Sequence, residues 1–298
     1  MTTAFVLSGG GSLGAVQVGM LQALADRGIE PDLLIGTSAG AFNAAYVANH
    51  GMTSDALERL ESVWAGLRRG QVYPFQPARF TAATLGLVPS LFPNDGLRRL
   101  LRRHVRFEQL EDALVPIHVV ATDLCTGEEV LLSNGAAVDA VLASSAIPAV
   151  LPPVRIAGRD LIDGGVADNA AITQAIRLGA DVIYVLPTGY ACALAAPPRS
   201  ALGTALHALT LLIEQRLILD VAHHADVADI RVLPPLCPLS VSSSDFRHGK
   251  LLVDRGRIAT SRWLENGNHR LPHPERFLSL HDHDPLRKKL AGANHAHS

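Results

Sequence analysis

The stretch Gly36-Thr37-Ser38-Ala39-Gly40 constrains this chain more than any other. It follows the apolar run Asp32-Leu33-Leu34-Ile35 and precedes a run of helical character from Ala41 through Ala48. The pattern is strand, sharp turn, helix. A serine on such a turn is lifted clear of the sheet edge, onto the N-terminus of the following helix. Gly36 and Gly40 remove the side chains that would block so tight a connection. The helix dipole and unpaired N–H groups then favour negative charge beside the hydroxyl. Gly-x-Ser-x-Gly alone is ordinary turn chemistry, so its meaning rests on what surrounds it.

The preceding turn repeats the theme. An apolar run over residues 3–7 ends in Ser8-Gly9-Gly10-Gly11-Ser12-Leu13-Gly14. A helix is expected from Ala15 to about Arg27, with Val18, Leu21 and Ala25 on one face and Gly28 as its stop. The chain therefore opens β-α-β-α, with each glycine-rich turn at a strand's C-terminal end. Open parallel sheets bind ligands at that edge. Thr53 to Leu67 reads as a further helix. Residues 70–94 contain Pro74, Pro77, Pro89 and Pro93 and read as irregular, with Asp95 capping a helix to about Val105. The segment from about 70 to 110 thus reads as an insertion or cap over the sheet edge. Strands are expected at 117–121, 130–132, 154–156, 161–162, 182–186 and 230–233. Helices are expected at 136–146, 171–178, 200–225 and 245–265. From Gly267 the chain is polar and rich in His and Pro. The expected organisation is one domain over 1–266 and a loosely packed tail over 267–298.

Composition narrows the function. With 48% hydrophobic and 18% charged residues in 298, there is ample material for a core. A formal charge of -2 gives no electrostatic argument for nucleic acid, and sparse aromatics argue against base stacking. Cys125, Cys192 and Cys237 are widely spaced, form no metal-type pair and fit a reducing compartment. The apolar residues near the N-terminus are too few and wrongly flanked for a signal peptide. No apolar run reaches the roughly 18 residues of a membrane span. The expectation is a soluble, cytoplasmic protein, with peripheral membrane contact left open. Arg98, Arg99, Arg102, Arg103 and Arg106 cluster in the middle segment. They read as a solvated basic face or, alternatively, as a contact for anionic headgroups.

Three stretches combine into chemistry. Ser38 supplies a hydroxyl, which is a poor nucleophile until a base takes its proton. Gly9-Gly10-Gly11 supplies adjacent N–H groups at a helix N-terminus, suited to an oxyanion. Asp163-Gly164-Gly165 supplies a carboxylate on a glycine turn after a strand. In isolation Asp163 is common turn chemistry; beside the other two it is a candidate base. Asp168 and Asn169 read as caps of the following helix, and Ser144 and Ser145 as helix or loop serines.

In this order the three motifs resemble those of the patatin-like phospholipases. Ala121-Thr122-Asp123 with Thr126-Gly127-Glu128, Ala143-Ser144-Ser145-Ala146-Ile147-Pro148 with Pro152-Pro153, and Asp168-Asn169 extend the likeness over roughly residues 4 to 187. The resemblance implies a three-layer α/β/α fold with a mainly parallel central sheet. It also implies hydrolysis of lipid acyl esters by a serine–aspartate dyad, Ser38 as nucleophile and Asp163 as base. Gly10 and Gly11, with Ser12, would be oxyanion donors, and no cofactor or metal is implied. One departure is Leu13, where the family often carries Arg or Lys; the backbone donors are untouched by it.

Rival readings remain at this point. Gly9-x-Gly11-x-x-Gly14 satisfies a dinucleotide-binding pattern, but the acidic residue expected at the end of the second strand is missing, since Asp32 begins that strand. A Ser-Asp-His triad of a general carboxylesterase could draw on His207, His223, His248 or His269, although Ser38 lies early for that fold. A non-catalytic lipid-binding module would keep the same motifs. His281-Asp282-His283-Asp284 and His223-His224 with Asp226 read as solvated polar runs and not as metal sites.

Overall fold

A computed structural model describes residues 1–278 except Ala195. β1 (Thr3–Leu7), α1 (Ala15–Ala25), β2 (Leu33–Thr37) and α2 (Ala39–His50) form the expected β-α-β-α opening. They are followed by α3 (Ser54–Gly66), α4 (Arg69–Val72), α5 (Pro77–Thr84) and α6 (Asp95–His104). Residues 70–94, expected to be irregular, are thus partly helical. Pro77 occupies the first turn of α5, where its missing N–H would have had no partner in any case. The described residues beyond α6 form β3 (Ile117–Asp123), β4 (Glu129–Leu132), α7 (Ala137–Ser144), β5 (Val154–Ile156) and β6 (Arg159–Asp163). α8 (Ile172–Arg177), β7 (Val182–Leu186), α9 (Ala201–His224), β8 (Asp229–Val232) and α10 (Gly249–Glu265) follow.

One eight-stranded sheet runs β5-β6-β3-β2-β1-β7-β8, with β4 also paired to β3. β3, β2, β1, β7 and β8 are mutually parallel; β4, β5 and β6 are antiparallel additions. The register around β3 matters most. β4 pairs with Val119 to Thr122, so it fills one edge of β3. β2 pairs with Ile117 to Val120 and β6 with Ala121 to Asp123, so both use the other edge. Thr37 is opposite Val120 and Asp163 opposite Ala121. The two strands therefore run head-on along β3 and end against each other. Ser38 follows one strand, and Asp163 closes the other.

Side chains alternate across the sheet, as the period of two requires. Phe5, Leu7, Leu34, Val182, Tyr184 and Leu186 pack on one face, under α1, α2, α3, α6, α7 and α10. Ala4, Val6, Leu33, Ile35, Ile183 and Val185 pack on the other, under α8 and α9. The result is the expected three-layer α/β/α architecture. α1 was expected to bury one stripe, yet every residue from Ala15 to Leu24 is buried. The reason is α10. It crosses α1 so closely that a Cβ on Gly19 would lie 2.1 Å from the Val253 carbonyl oxygen, and one on Gly256 2.5 Å from that of Val16.

The start of the tail also departs from expectation. Residues 267–278 are not loose: His269 and Phe277 pack on the Trp263 ring, and Leu278 is 2% exposed. His281 to Asp284 lie outside the described residues. α9 spans 24 residues with a mean hydropathy of 1.3 over its most apolar window, enough in length and composition to cross a bilayer. It is the one such helix among the described residues, and sequence runs broken at His207 and Glu214 did not reveal it. Its buried residues are Glu214, Leu217 and Val221, while Leu212 and Leu219 are exposed.

Candidate active site

Ser38 occupies the N-cap of α2 with φ 53 and ψ -118, a conformation a non-glycine residue adopts only under constraint. The constraint is visible. Ser38 N–H donates to Ser144 Oγ at 2.7 Å, so the serine that ends α7 holds the turn. Gly40 lets α2 approach β1, since a Cβ there would lie 2.1 Å from the Leu7 carbonyl oxygen. The side chain is thereby aimed at β6. Ser38 Oγ donates to Asp163 Oδ2 at 2.7 Å, and both residues are buried.

Asp163 is anchored as firmly. Its Oδ1 accepts from Gly165 N–H at 2.9 Å, and its carbonyl accepts from Thr122 Oγ1 at 2.9 Å. Burial pushes the carboxyl up from 3.8 to about 6, against the opposing pull of the hydrogen bonds from Ser38 and Gly165. The Tyr73 phenol, raised to about 12 by burial and then by the Asp163 charge, stays protonated near neutrality.

The glycine loop is pinned from several sides. Gly9 N–H donates to Asn169 Oδ1 at 2.8 Å, Thr188 Oγ1 donates to Gly9 O at 2.7 Å, and Gln17 Nε2 donates to Ser8 O at 2.8 Å. Gln17 is in turn held by Asn43 Nδ2, and Asn43 by Trp64 Nε1. A Cβ on Gly10 would lie 2.1 Å from Thr188 Oγ1. Among the described residues, the N–H groups of Gly10 and Gly11 donate to no protein acceptor. Ser12 differs. Its N–H donates to Ser243 O at 2.8 Å and its Oγ to Ser242 O at 3.1 Å, so both its donors are occupied by the loop ahead of α10.

Gly10, Gly11, Ser38 and Asp163 line one cavity of about 270 Å³. Its walls are mostly apolar, with Tyr73 and Phe92 from the 70–110 segment and Leu206, Leu209 and Ile213 from α9. That segment thus contributes Tyr73 and Phe92 to the cavity wall. No described histidine lines the cavity. His248 lies against Asp245, His269 against Trp263, and His224 bonds Asp220 O. The described residues hold no cluster of three or more His, Cys, Asp or Glu side chains fit for a metal ion. Asp32 lies at the opposite end of the sheet, accepting from Thr3 N–H at 2.8 Å, so it cannot meet a ribose at the glycine loop. Leu13 is buried and also borders the cavity.

Several contributors carried no sequence signal of their role. Asn169 was expected to cap a helix and instead holds the glycine loop; Ser144 holds the Ser38 turn. Gln17 and Asn43 carry no motif, and Glu214 shows in the sequence only as a break in an apolar run. A polar residue within an apolar helical run, as at Gln17, is the one hint available.

The sequence profile of the Patatin-like phospholipase family matches residues 5–176. The chain belongs to this family. Curated members match it over part of their length. Patatin-like phospholipase domain-containing protein 7 of Rattus norvegicus is 30% identical over 188 residues, 62% of this chain and 13% of that protein. Lysophospholipase nte1 of Aspergillus terreus is 32% identical over 184 residues, 62% of this chain and 12% of that protein. The chain thus matches only about an eighth of these family members. Among solved structures, human GIVD cytosolic phospholipase A2 aligns with a TM-score of 0.45 at 13% identity, over 93% of this chain and 60% of that one. VipD from Legionella pneumophila aligns at 0.43 and 16%, over 88% and 67%.

Proposed function

We propose that this protein is a lipid acyl-ester hydrolase of the phospholipase A or lysophospholipase type, working through a Ser38–Asp163 dyad. The observation that carries the reading is the buried 2.7 Å hydrogen bond from Ser38 Oγ to Asp163 Oδ2, in a cavity lined by no described histidine. Asp163 takes the Ser38 proton as Oγ attacks the ester carbonyl. The N–H groups of Gly10 and Gly11 receive the developing oxyanion; Ser12, already bonded to Ser243, is a supporting residue. Collapse expels the alcohol, which takes the proton from Asp163. Water, deprotonated by the same carboxylate, then attacks the acyl-serine; fatty acid leaves and Ser38 regains its proton. A base near 6 is better matched to this task than one at 3.8. The apolar walls suit an acyl chain. The exposed Leu212 and Leu219 of α9 and Leu85 and Leu87 after α5 support peripheral contact with a lipid surface, testable by vesicle sedimentation.

The deciding experiment combines a fluorophosphonate probe with a short-chain aryl ester. Wild type labels at Ser38 and turns over the ester; Ser38→Ala does neither, and Asp163→Asn loses turnover. Full turnover by either purified variant rejects the dyad. Substitution of His207, His223, His248 and His269 should leave turnover intact, and a loss there would restore the triad reading.

A further inference from the structure

Among the described residues, three with a formally charged side chain line the cavity that holds the dyad: Asp163, Arg69 and Glu214. Asp163 is used by Ser38. Glu214 projects from the middle of α9 and is 4% exposed. Its Oε1 is sealed and accepts no hydrogen bond, and among the described residues no cation pairs with the carboxyl. Burial alone raises it to about 7. Leu217 and Val221, further along the same helix, are apolar and fully covered. An apolar side chain at 214 would therefore stabilise the fold, whereas an unpaired buried carboxyl weakens it. Such a group is best explained by a partner that arrives with the ligand. Arg69 supplies the complementary pole. It is exposed, its guanidinium lies 5.3 Å from the centre of the Phe92 ring, and no described carboxylate pairs with it.

We infer that the cavity selects a zwitterionic phospholipid headgroup, with Arg69 facing the phosphate and Glu214 the ammonium. The inference rests on the acyl-hydrolase reading and names its substrate class. A cation is what Glu214 lacks: a hydroxyl would satisfy a lone pair yet leave the carboxylate charge uncompensated in a mostly apolar cavity. Phosphoethanolamine and phosphocholine heads both carry the required pair of charges.

The test measures kcat/KM on phospholipids of identical acyl chains, dispersed in mixed micelles of a neutral detergent. The heads are phosphoethanolamine, phosphocholine, phosphoglycerol and unesterified phosphate. Wild type should favour the two zwitterionic heads over the two anionic ones by about tenfold or more. Glu214→Gln should collapse that ratio, chiefly through KM on the zwitterionic lipids. Glu214→Leu should collapse it equally while melting at a higher temperature. Arg69→Gln should lower all four rates in parallel. A wild type that does not favour the zwitterionic heads, or a Glu214→Gln variant that keeps the wild-type ratio because its loss is shared equally by all four lipids, overturns the inference. Aryl-ester turnover separates the two levels. If wild type has it and Ser38→Ala lacks it, the hydrolase reading stands whatever the headgroup ratio. If wild type has neither aryl-ester nor lipid turnover, both fall.

Discussion

Asp163→Asn should make the protein more stable while silencing it, and the size of the effect follows from the site. A carboxyl with an ordinary value of 3.8 that titrates at about 6 in the fold prefers its proton there by about 3 kcal/mol. The sign is that of a raised acid. The folded state loses stability as pH rises from the ordinary value through about 6, and the full cost is present above that. Asparagine removes the charge and keeps both contacts: its carbonyl oxygen can accept from Gly165 N–H, and its amide can donate to Ser38 Oγ. At pH 8 the variant should therefore gain up to about 3 kcal/mol, roughly 5–10 °C in Tm for a chain of this size. At pH 4.5 the gain should shrink to about 1 kcal/mol, because the folded carboxyl is then almost fully protonated and carries little buried charge. Thermal melts of both proteins across this range isolate Asp163, since Asp168 and Glu214, each raised to about 7 by burial, contribute equally to both curves. Ester turnover should fall by about 10²–10⁴ with loss of the base. A gain that is absent, or the same at pH 4.5 and pH 8, refutes a desolvated Asp163; retained turnover refutes its role as base.

Other outcomes follow from the same geometry. Turnover of a neutral aryl ester should rise with pH through about 6 as Asp163 ionises, and a flat profile between pH 5 and pH 8 contradicts its role. Ser144→Ala should leave the buried Ser38 N–H unpaired, costing about 1–3 kcal/mol in denaturant melts and slowing phosphonylation of Ser38 by the probe. Gly10→Ala should drive a methyl into Thr188 Oγ1 and displace the donor loop; probe labelling should slow far more than Tm falls, and equal rates would remove Gly10 from the site. Gly40→Ala should instead cost folding itself, by about 2 kcal/mol or more, because the obstruction is the Leu7 carbonyl oxygen and backbone cannot swing away.

The local pieces of this protein were written in its sequence. Apolar period and glycine placement determined β1, α1, β2 and α2, and with them the two turns that carry Gly10, Gly11 and Ser38, because such turns depend on nearest neighbours alone. The motifs also named Asp163 as the partner. What the sequence could not supply was how they meet. β6 enters antiparallel and shares one edge of β3 with β2, so that two strands separated by more than a hundred residues end face to face; pairing register is a long-range choice that no local pattern encodes. The packing of α10 on α1, the occupation of Ser12 by Ser243, and the cavity wall formed by α9 are of the same kind. Glu214 illustrates the difference most sharply. In the sequence it is a break in an apolar helix, and only the tertiary structure turns that helix so that a buried, unpaired carboxyl borders the cavity that Ser38 lines.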